Sequence, residues 1–471
     1  MPERTNTPTN DRRAWAGVFV LALVHVVLAI WFASITPYRA PGQILASHAP
    51  APDIGAPDER AHANYIQHLL DGKGIPVLDV AQMTPGSTYR AEEYESHQPP
   101  LYYMAAFAWC KVVGVSTVSD ATAGTRLRAL NSVFGAATVL GVFCAAFWGF
   151  RRLDLAFAAA LFPALLPMNV ALSGAISNDP LLFALMAWAM AFIARALRDG
   201  WTLKLALGVG ALTGLAIVTK TTGIALLPVL LVSAVIPQLK RPGIGQVVAA
   251  ALAVIVIAGP WLARNQATYH DPLATNVFNK AFGDTATKQL IESAPGGDGL
   301  GYWANWVGWW TARSFIGVFG YMDIFLNETG TFKTEPGEAP NTLYRVCLAG
   351  LVLLAVGWAR SLKEPWASEG KAVTIVNATL VVVVLLLFLR FNNMFFQGQA
   401  RYLYPALAPI AIGFGAGAIT WARKRPSVGV GAVALCLSGL VIYSGFRLPS
   451  EFGKRLGTPG PSNSAPRPRV Q

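Results

Sequence analysis

The sequence predicts an all-α polytopic membrane protein, a bundle of about eleven transmembrane helices with long segments outside the bilayer. Three observations predict it. Of the 471 residues, 54% are hydrophobic and only 13% charged, far from the roughly 25% charged residues of soluble domains. Apolar runs near the roughly 20-residue length of a spanning helix recur from one end to the other. Most of the Lys and Arg behind the net charge of +12 fall in short clusters between those runs, the pattern that positive-inside topology writes, so a nucleic-acid partner is not implied.

The first run, Trp15 to Ser34, is too long for a signal-peptide core and reads as a retained anchor. The run Pro99 to Val115 decides the topology. If it crossed, Arg151/Arg152, Arg195/Arg198/Lys204 and Lys240/Arg241 would all lie outside. If it is a juxtamembrane or re-entrant helix, these clusters join the basic N-terminus, Arg360/Lys363/Lys371 and Arg423/Lys424/Arg425 on the cytoplasmic side. The second arrangement obeys the rule. It gives further spans over Leu127–Phe150, Leu155–Ser173, Pro180–Leu197, Leu203–Thr219, Gly223–Gln238 and Gln246–Leu262. Four more follow over Leu343–Ala359, Ala372–Leu389, Tyr402–Trp421 and Val428–Ser444. Residues 35–126 and 264–342 become external loops, residues 1–447 one membrane domain, and residues 448–471, rich in Pro, Ser and Gly, a disordered tail. Cys110, Cys144, Cys347 and Cys436 sit in apolar segments and read as buried small side chains without a disulfide framework.

Within the first loop, Pro57 suits the first turn of a helix, where Asp58 and Glu59 meet the positive end of its dipole. Ala61, Tyr65, Leu69 and Leu70 form an apolar stripe suited to a membrane surface, and Asp71-Gly72 with Gly74 end the helix. Spacing lets Asp58, Glu59 and His62 share one region of that helix. In the second loop Trp303, Trp306, Trp309 and Trp310 recur near helical spacing, as in an interfacial aromatic belt or a sugar-stacking platform.

This topology collects polar residues at the outer face: Asp58, Glu59, His62, Glu95, His97, Gln98, Asn178, Asp179, Lys220, Arg264, Asn265, Gln397, Gln399 and Arg401. Ionisable groups at membrane depth are functional candidates. A carboxylate can serve as general base toward an acceptor hydroxyl, and cations stabilise a departing phosphate. His62 and His97 with Glu95 could ligate a divalent metal, the one cofactor the residues suggest. His48 and His68 have no evident partner. No P-loop, G-x-S-x-G, H-E-x-x-H or Rossmann G-x-G-x-x-G pattern occurs in a fitting context, which argues against nucleotide hydrolysis, serine hydrolysis and nicotinamide chemistry.

Several stretches resemble motifs of the GT-C membrane glycosyltransferases, including the protein O-mannosyltransferases and the aminoarabinose transferases of lipid A. They are Asp58-Glu59, HQPPLYY (His97–Tyr103), SNDPLL (Ser177–Leu182), GLAIVTKTTG (Gly214–Gly223), PWLARN (Pro260–Asn265) with YHDPL (Tyr269–Leu273), and QARYLYP (Gln399–Pro405). The resemblance implies a GT-C-like bundle in a bacterial-type inner membrane, with the active site on its external face. It implies an inverting transfer from a polyprenyl-phosphate sugar donor to a hydroxyl acceptor on a glycan, lipid or protein. Asp58 would be the base and Glu59 its orienting or substrate-binding neighbour. Asp179, Lys220, Arg264, Arg401, His97 and Gln98 would line the substrate and phosphate site. Two positions depart from the family pattern: Gln98 stands where some relatives carry lysine, and Ala400 where glycine is common. A transporter or flippase of a lipid-linked sugar is the alternative, and crowding of the polar residues on one face weighs against it.

Overall fold

A computed structural model describes residues 8–38, 55–84, 87–120, 122–236, 241–284, 287–293, 297–326 and 342–457. The first span is α1 (Pro8–Ile35), and the first loop then carries α2 (Glu59–Leu70), α3 (Thr88–Glu93) and α4 (Leu101–Val113). Next come α5 (Ala123–Phe150), α6 (Leu153–Leu165), α7 (Pro167–Ser173), α8 (Asp179–Asp199), α9 (Leu203–Ile217), α10 (Leu226–Val235) and α11 (Ile244–Tyr269). The second loop holds α12 (Thr275–Phe282), α13 (Lys288–Glu292), a π-helical turn over Tyr302–Gly308 and α14 (Trp309–Ile316). It also holds a minimal antiparallel hairpin, β1 (Val318–Phe319) with β2 (Ile324–Phe325). The chain closes with α15 (Thr342–Ser361), α16 (Pro365–Glu369), α17 (Lys371–Asn392), a 3₁₀ turn over Ala400–Ala406, α18 (Leu407–Trp421) and α19 (Pro426–Gly457).

Each expected span is helical, yet among the described residues only eight helices are long and apolar enough to cross a bilayer, nine if the α6–α7 pair counts as one. Backbone breaks explain the difference from eleven. Leu166 precedes Pro167, whose ring disfavours helical geometry in its predecessor. Leu166 is accordingly extended, and α6 and α7 meet at 59°. The carbonyls freed there are met by side chains, Pro163 by Asn169 Nδ2 at 2.7 Å and Ala164 by His25 Nδ1 at 3.0 Å. A second break separates α9 from the Thr221–Ala225 turn and α10, where Lys220 is extended.

α4 has 13 residues, roughly 20 Å of helix against a hydrocarbon core of about 30 Å. It does not reach across, as the charge argument requires. Its backbone is joined to the bundle, because Leu101 N–H donates to the Val218 carbonyl at the second break, 2.9 Å away. The front of the α2 stripe is buried against protein, contrary to the membrane-surface expectation, while Leu69 and Leu70 at its end are half-buried. Ala61, Tyr65 and Ile66 are fully covered, and the Tyr65 ring stacks on Tyr103 of α4 with centroids 3.6 Å apart.

Bundle helices approach closely through small residues, as packing within a membrane favours. A Cβ at Gly141 of α5 would collide with Ala187 of α8, and one at Gly210 of α9 with the Ala250 backbone of α11. Apolar side chains such as Leu252, Ile255 and Val256 of α11 face outward, the solution expected where the surroundings are hydrocarbon. The chain is an integral membrane protein. The cysteines form no disulfide, but only Cys110 and Cys144 are buried; Cys436 is exposed. α19 continues past Arg447 to Gly457, so the first part of the expected tail is helical, and residues 458–471 lie outside the described residues.

The two ends of the bundle differ in character. Arg151 pairs with Asp199, Arg198 with Glu369 and Arg423 with Glu364, while Arg152 lies over Trp366. The basic connections therefore gather at one end, and the polar residues of the first loop at the other.

Candidate active site

α5 carries an arginine, Arg128, that is 1% exposed in its side chain. Its Nε and Nη2 grip both oxygens of Glu59 at 2.7 and 2.5 Å. The remaining donors reach the Ala33, Thr36 and Pro37 carbonyls at 2.8, 2.6 and 3.0 Å, and Ile176 N–H adds a further bond to Glu59 at 2.9 Å. Such a bidentate pair with its other hydrogen bonds satisfied fixes geometry as well as charge. It ties the start of α2 to the end of α1, to α5 and to the turn before α8.

Asp58 is the N-cap of α2 and adopts a left-handed backbone conformation with φ 64°. That turn sends its carboxylate away from Arg128. Oδ1 accepts from the Tyr94 hydroxyl at 2.9 Å, and Oδ2 pairs with Arg401 Nη2. Burial opposes ionisation, but Arg401 and the tyrosine hydroxyl outweigh it and hold the carboxyl below the usual aspartate range. The side chain remains 22% exposed and faces an open cleft of about 280 Å³, solvent mouth included, lined by Gly55, Ala56, Glu59, Arg60, Tyr94 and Tyr321.

Beside it lies a second ion pair, Lys220 Nζ to Asp179 Oδ1 at 2.5 Å. The unwound backbone before the 3₁₀ turn presents Lys220, and Asp179 opens α8 next to Asn178, whose amide bonds Gln98 Oε1 at 3.3 Å. Lys220 and Arg401 both lie over the Tyr402 ring, 5.7 and 5.3 Å from its centre. Segments from four parts of the chain thus converge. Unlike the Glu59–Arg128 network, this one is incomplete. Arg401 Nε, Asp179 Oδ2, Asn178 Oδ1, Glu95 Oε2 and Gln399 Oε1 are buried and have no hydrogen-bond partner among the described residues. Buried polar atoms left unpaired are costly, and these retain hydrogen-bonding capacity that a polar ligand or ordered water would satisfy.

Not every expected site residue joins this group. Glu59 turns away to Arg128, whereas His62 stays within electrostatic reach of Asp58, Glu95, Lys220 and Asp179 while its Nδ1 bonds the Tyr103 hydroxyl at 2.8 Å. His97 Nδ1 bonds the Tyr94 carbonyl at 2.8 Å with its ring beside Phe278, and burial lowers its pKa to about 4, so it contributes no cation. Burial raises the pKa of Glu95 above the ordinary glutamate value. The possible metal set His62, Glu95 and His97 is a correction: among the described residues no three His, Cys, Asp or Glu side chains are placed to hold an ion. Arg264 stacks between Trp261 and Tyr269 and donates to the Pro76 carbonyl at 2.8 Å, with no carboxylate partner among the described residues. His68 does have a partner, Glu93 at 2.8 Å, whereas His48 lies outside the described residues. Trp309 is buried beneath Arg313, 3.6 Å from its guanidinium, and serves packing in place of a belt or platform.

Arg128, Tyr94 and Tyr402 were not anticipated. Arg128 had a signal, an arginine just inside an apolar span. The two tyrosines had none, since nothing in their spacing separates them from packing residues.

Residues 77–410 match the family described as "Predicted membrane protein (DUF2142)". The chain belongs to that family. The matched stretch of this DUF2142 protein starts after Asp58 and Glu59 and takes in Glu95, Asp179, Lys220 and Arg401. A comparison with curated proteins finds no match. Among solved structures, the chain is similar to ArnT from Cupriavidus metallidurans bound to undecaprenyl phosphate, with 13% identity, TM-score 0.53, and coverage of 94% of this chain and 78% of that one. It is also similar to the Archaeoglobus fulgidus oligosaccharyltransferase in complex with Zn and sulfate, with 13% identity, TM-score 0.50 and coverage of 94%. The DUF2142 chain spans 54% of the length of that archaeal enzyme. These likenesses are of architecture, and the architecture is GT-C-like.

Proposed function

We propose that this protein is a membrane glycosyltransferase that moves a sugar from a polyprenyl-phosphate carrier to a hydroxyl, acting on the external face of a bacterial-type inner membrane. One observation carries the reading. A partly accessible carboxylate, Asp58, pairs with the buried Arg401, next to the pair of half-buried Lys220 with Asp179, in a polar cluster with unpaired donors and acceptors. The fold supports the donor class, since a neighbour of the same architecture is described as bound to undecaprenyl phosphate.

In this reading the acceptor O–H bond breaks as its proton passes to Asp58, and the oxygen forms the new bond to the anomeric carbon from the side opposite the phosphate. The sugar–phosphate bond breaks, and its electron pair leaves on polyprenyl phosphate. Lys220 and Arg401 stabilise that charge without reorganising water. Asp179 orients Lys220, and Gln98 orients Asn178 at the same floor. Glu59 acts on Asp58 through the backbone it anchors.

The test is transfer of labelled sugar from polyprenyl-phosphate sugars by the purified protein, wild type beside Asp58→Asn. Full activity in the variant removes Asp58 as base. Passage of substrate across vesicles with no glycosidic bond formed favours the transporter. A chelator titration in the same assay reads any divalent-metal requirement.

A further inference from the structure

The two oxygens of Asp58 are held by partners of unlike chemistry. Tyr94 is neutral, and its bond to Oδ1 is made inside the cleft that Asp58 lines. Arg401 is a charged fork, 5% exposed, whose Nε has no hydrogen-bond partner among the described residues. It lies outside the cleft lining, on the side of Lys220 and the Tyr402 ring. Asp58 is therefore the residue shared by the cleft and the cation pair. While Arg401 covers Oδ2, that oxygen is a poor proton acceptor. A phosphate arriving between Lys220 and Arg401 competes for the same guanidinium, because arginine binds phosphate and carboxylate with the same fork.

Taking the glycosyl-transfer reading as its basis, we propose that Tyr94 is the positioning residue of the base: donor phosphate draws Arg401 off Oδ2, Tyr94 retains Oδ1, and the uncovered Oδ2 takes the acceptor's proton. The balance is that of the transfer itself, with one acceptor O–H bond exchanged for an Oδ2–H bond as the sugar leaves phosphate. Two consequences follow from the geometry. The base gains proton affinity only in the donor complex, and acceptor activation follows donor binding. Burial and the neighbouring Asp58 charge hold the Tyr94 hydroxyl well above its ordinary pKa, so it stays a hydrogen-bond donor throughout.

Two measurements on the full chain in lipid nanodiscs test this. In the first, carbodiimide labelling of Asp58 in wild-type protein is read by peptide mass spectrometry with and without undecaprenyl phosphate alone. Labelling needs a protonated carboxyl, so the lipid phosphate raises it several-fold if Arg401 moves; unchanged labelling overturns the exchange. In the second, Tyr94→Phe lowers kcat on the order of ten- to a hundredfold through misplacement of the base, with the KM for donor unchanged. It also moves the acid limb of the pH–rate profile to higher pH, because the ionised form has lost a hydrogen bond while Arg401, His62 and Glu95, which also face Asp58, are unchanged. A purely structural tyrosine would lower the melting temperature and leave the limb in place, and that result overturns the positioning role. Labelling that responds to the lipid phosphate in a protein that transfers no sugar removes the glycosyl-transfer reading and leaves the exchange standing.

Discussion

Adjacent carboxylates, Asp58 and Glu59, meet arginine in opposite ways. Glu59 is 3% exposed, and its pairing with Arg128 is closed, with three backbone carbonyls and one backbone N–H completing the network. Asp58 meets Arg401 beside a cleft, amid buried atoms that lack partners. The closed pair spans helices, and although Glu59 also borders the cleft its hydrogen-bonding capacity is taken up by Arg128 and Ile176. The open pair has unfilled capacity around it and is the one to which the proposed chemistry is assigned. A charge pair at membrane depth is thus read by whether its hydrogen-bonding capacity is saturated.

Breaking the closed pair has the largest expected effect on folding. Arg128→Ala leaves Glu59 buried and uncompensated, at a cost of about 3–5 kcal/mol. Melting of the detergent-purified protein reads this, and an unchanged transition would remove Arg128 as the structural anchor. Asp58→Asn sharpens the contrast: turnover drops about 10²–10⁴-fold as for loss of a general base, while the melting temperature falls less than for Arg128→Ala, because the amide oxygen still accepts from Arg401 beside an open cleft. A variant equally crippled in both readouts would merge the two pairs into one structural unit. Lys220→Met comes next, weakening binding of polyprenyl phosphate by roughly tenfold or more through loss of a charge-assisted contact. Equal affinity in titration calorimetry would remove Lys220 from phosphate binding and leave Arg401 as the cation of this cluster. The smallest effect belongs to Glu93. Burial disfavours its charge, but hydrogen bonds from His68 and Ser96 prevail and lower its pKa to about 2 from 4.5. Its folded value is depressed, so this stabilisation is present above pH 4.5 and is lost as pH falls toward 2. Glu93→Gln should therefore lower the melting temperature slightly at neutral pH and not at the acid end.

Much of this was legible in the residues. Hydropathy located every apolar helix, and charge placement kept Pro99–Val115 from being read as a span. Motif order brought Asp58, Asp179, Lys220 and Arg401 to one face before any geometry was available. The breaks at Leu166 and Lys220 were harder, because a proline within an apolar run is compatible with both a straight and a bent span. The divergence of Asp58 and Glu59 was not legible at all. Helical spacing places both near His62, and only the left-handed turn at Asp58 separates them. Tyr94 escaped for a related reason: its partner is 36 residues away in sequence, and no local pattern encodes that contact.

That left-handed turn has an evolutionary and practical consequence. For most L-residues this backbone region costs about 1–2 kcal/mol, with glycine, and occasionally asparagine and aspartate, the residues that visit it. Asp58→Gly would ease the polypeptide at that point but leave Arg401, 5% exposed, without its carboxylate, and Asp58→Glu would keep the charge on a residue the turn does not favour. Aspartate is thus the residue that answers both demands at position 58, so selection for heat resistance alone has little reason to replace it.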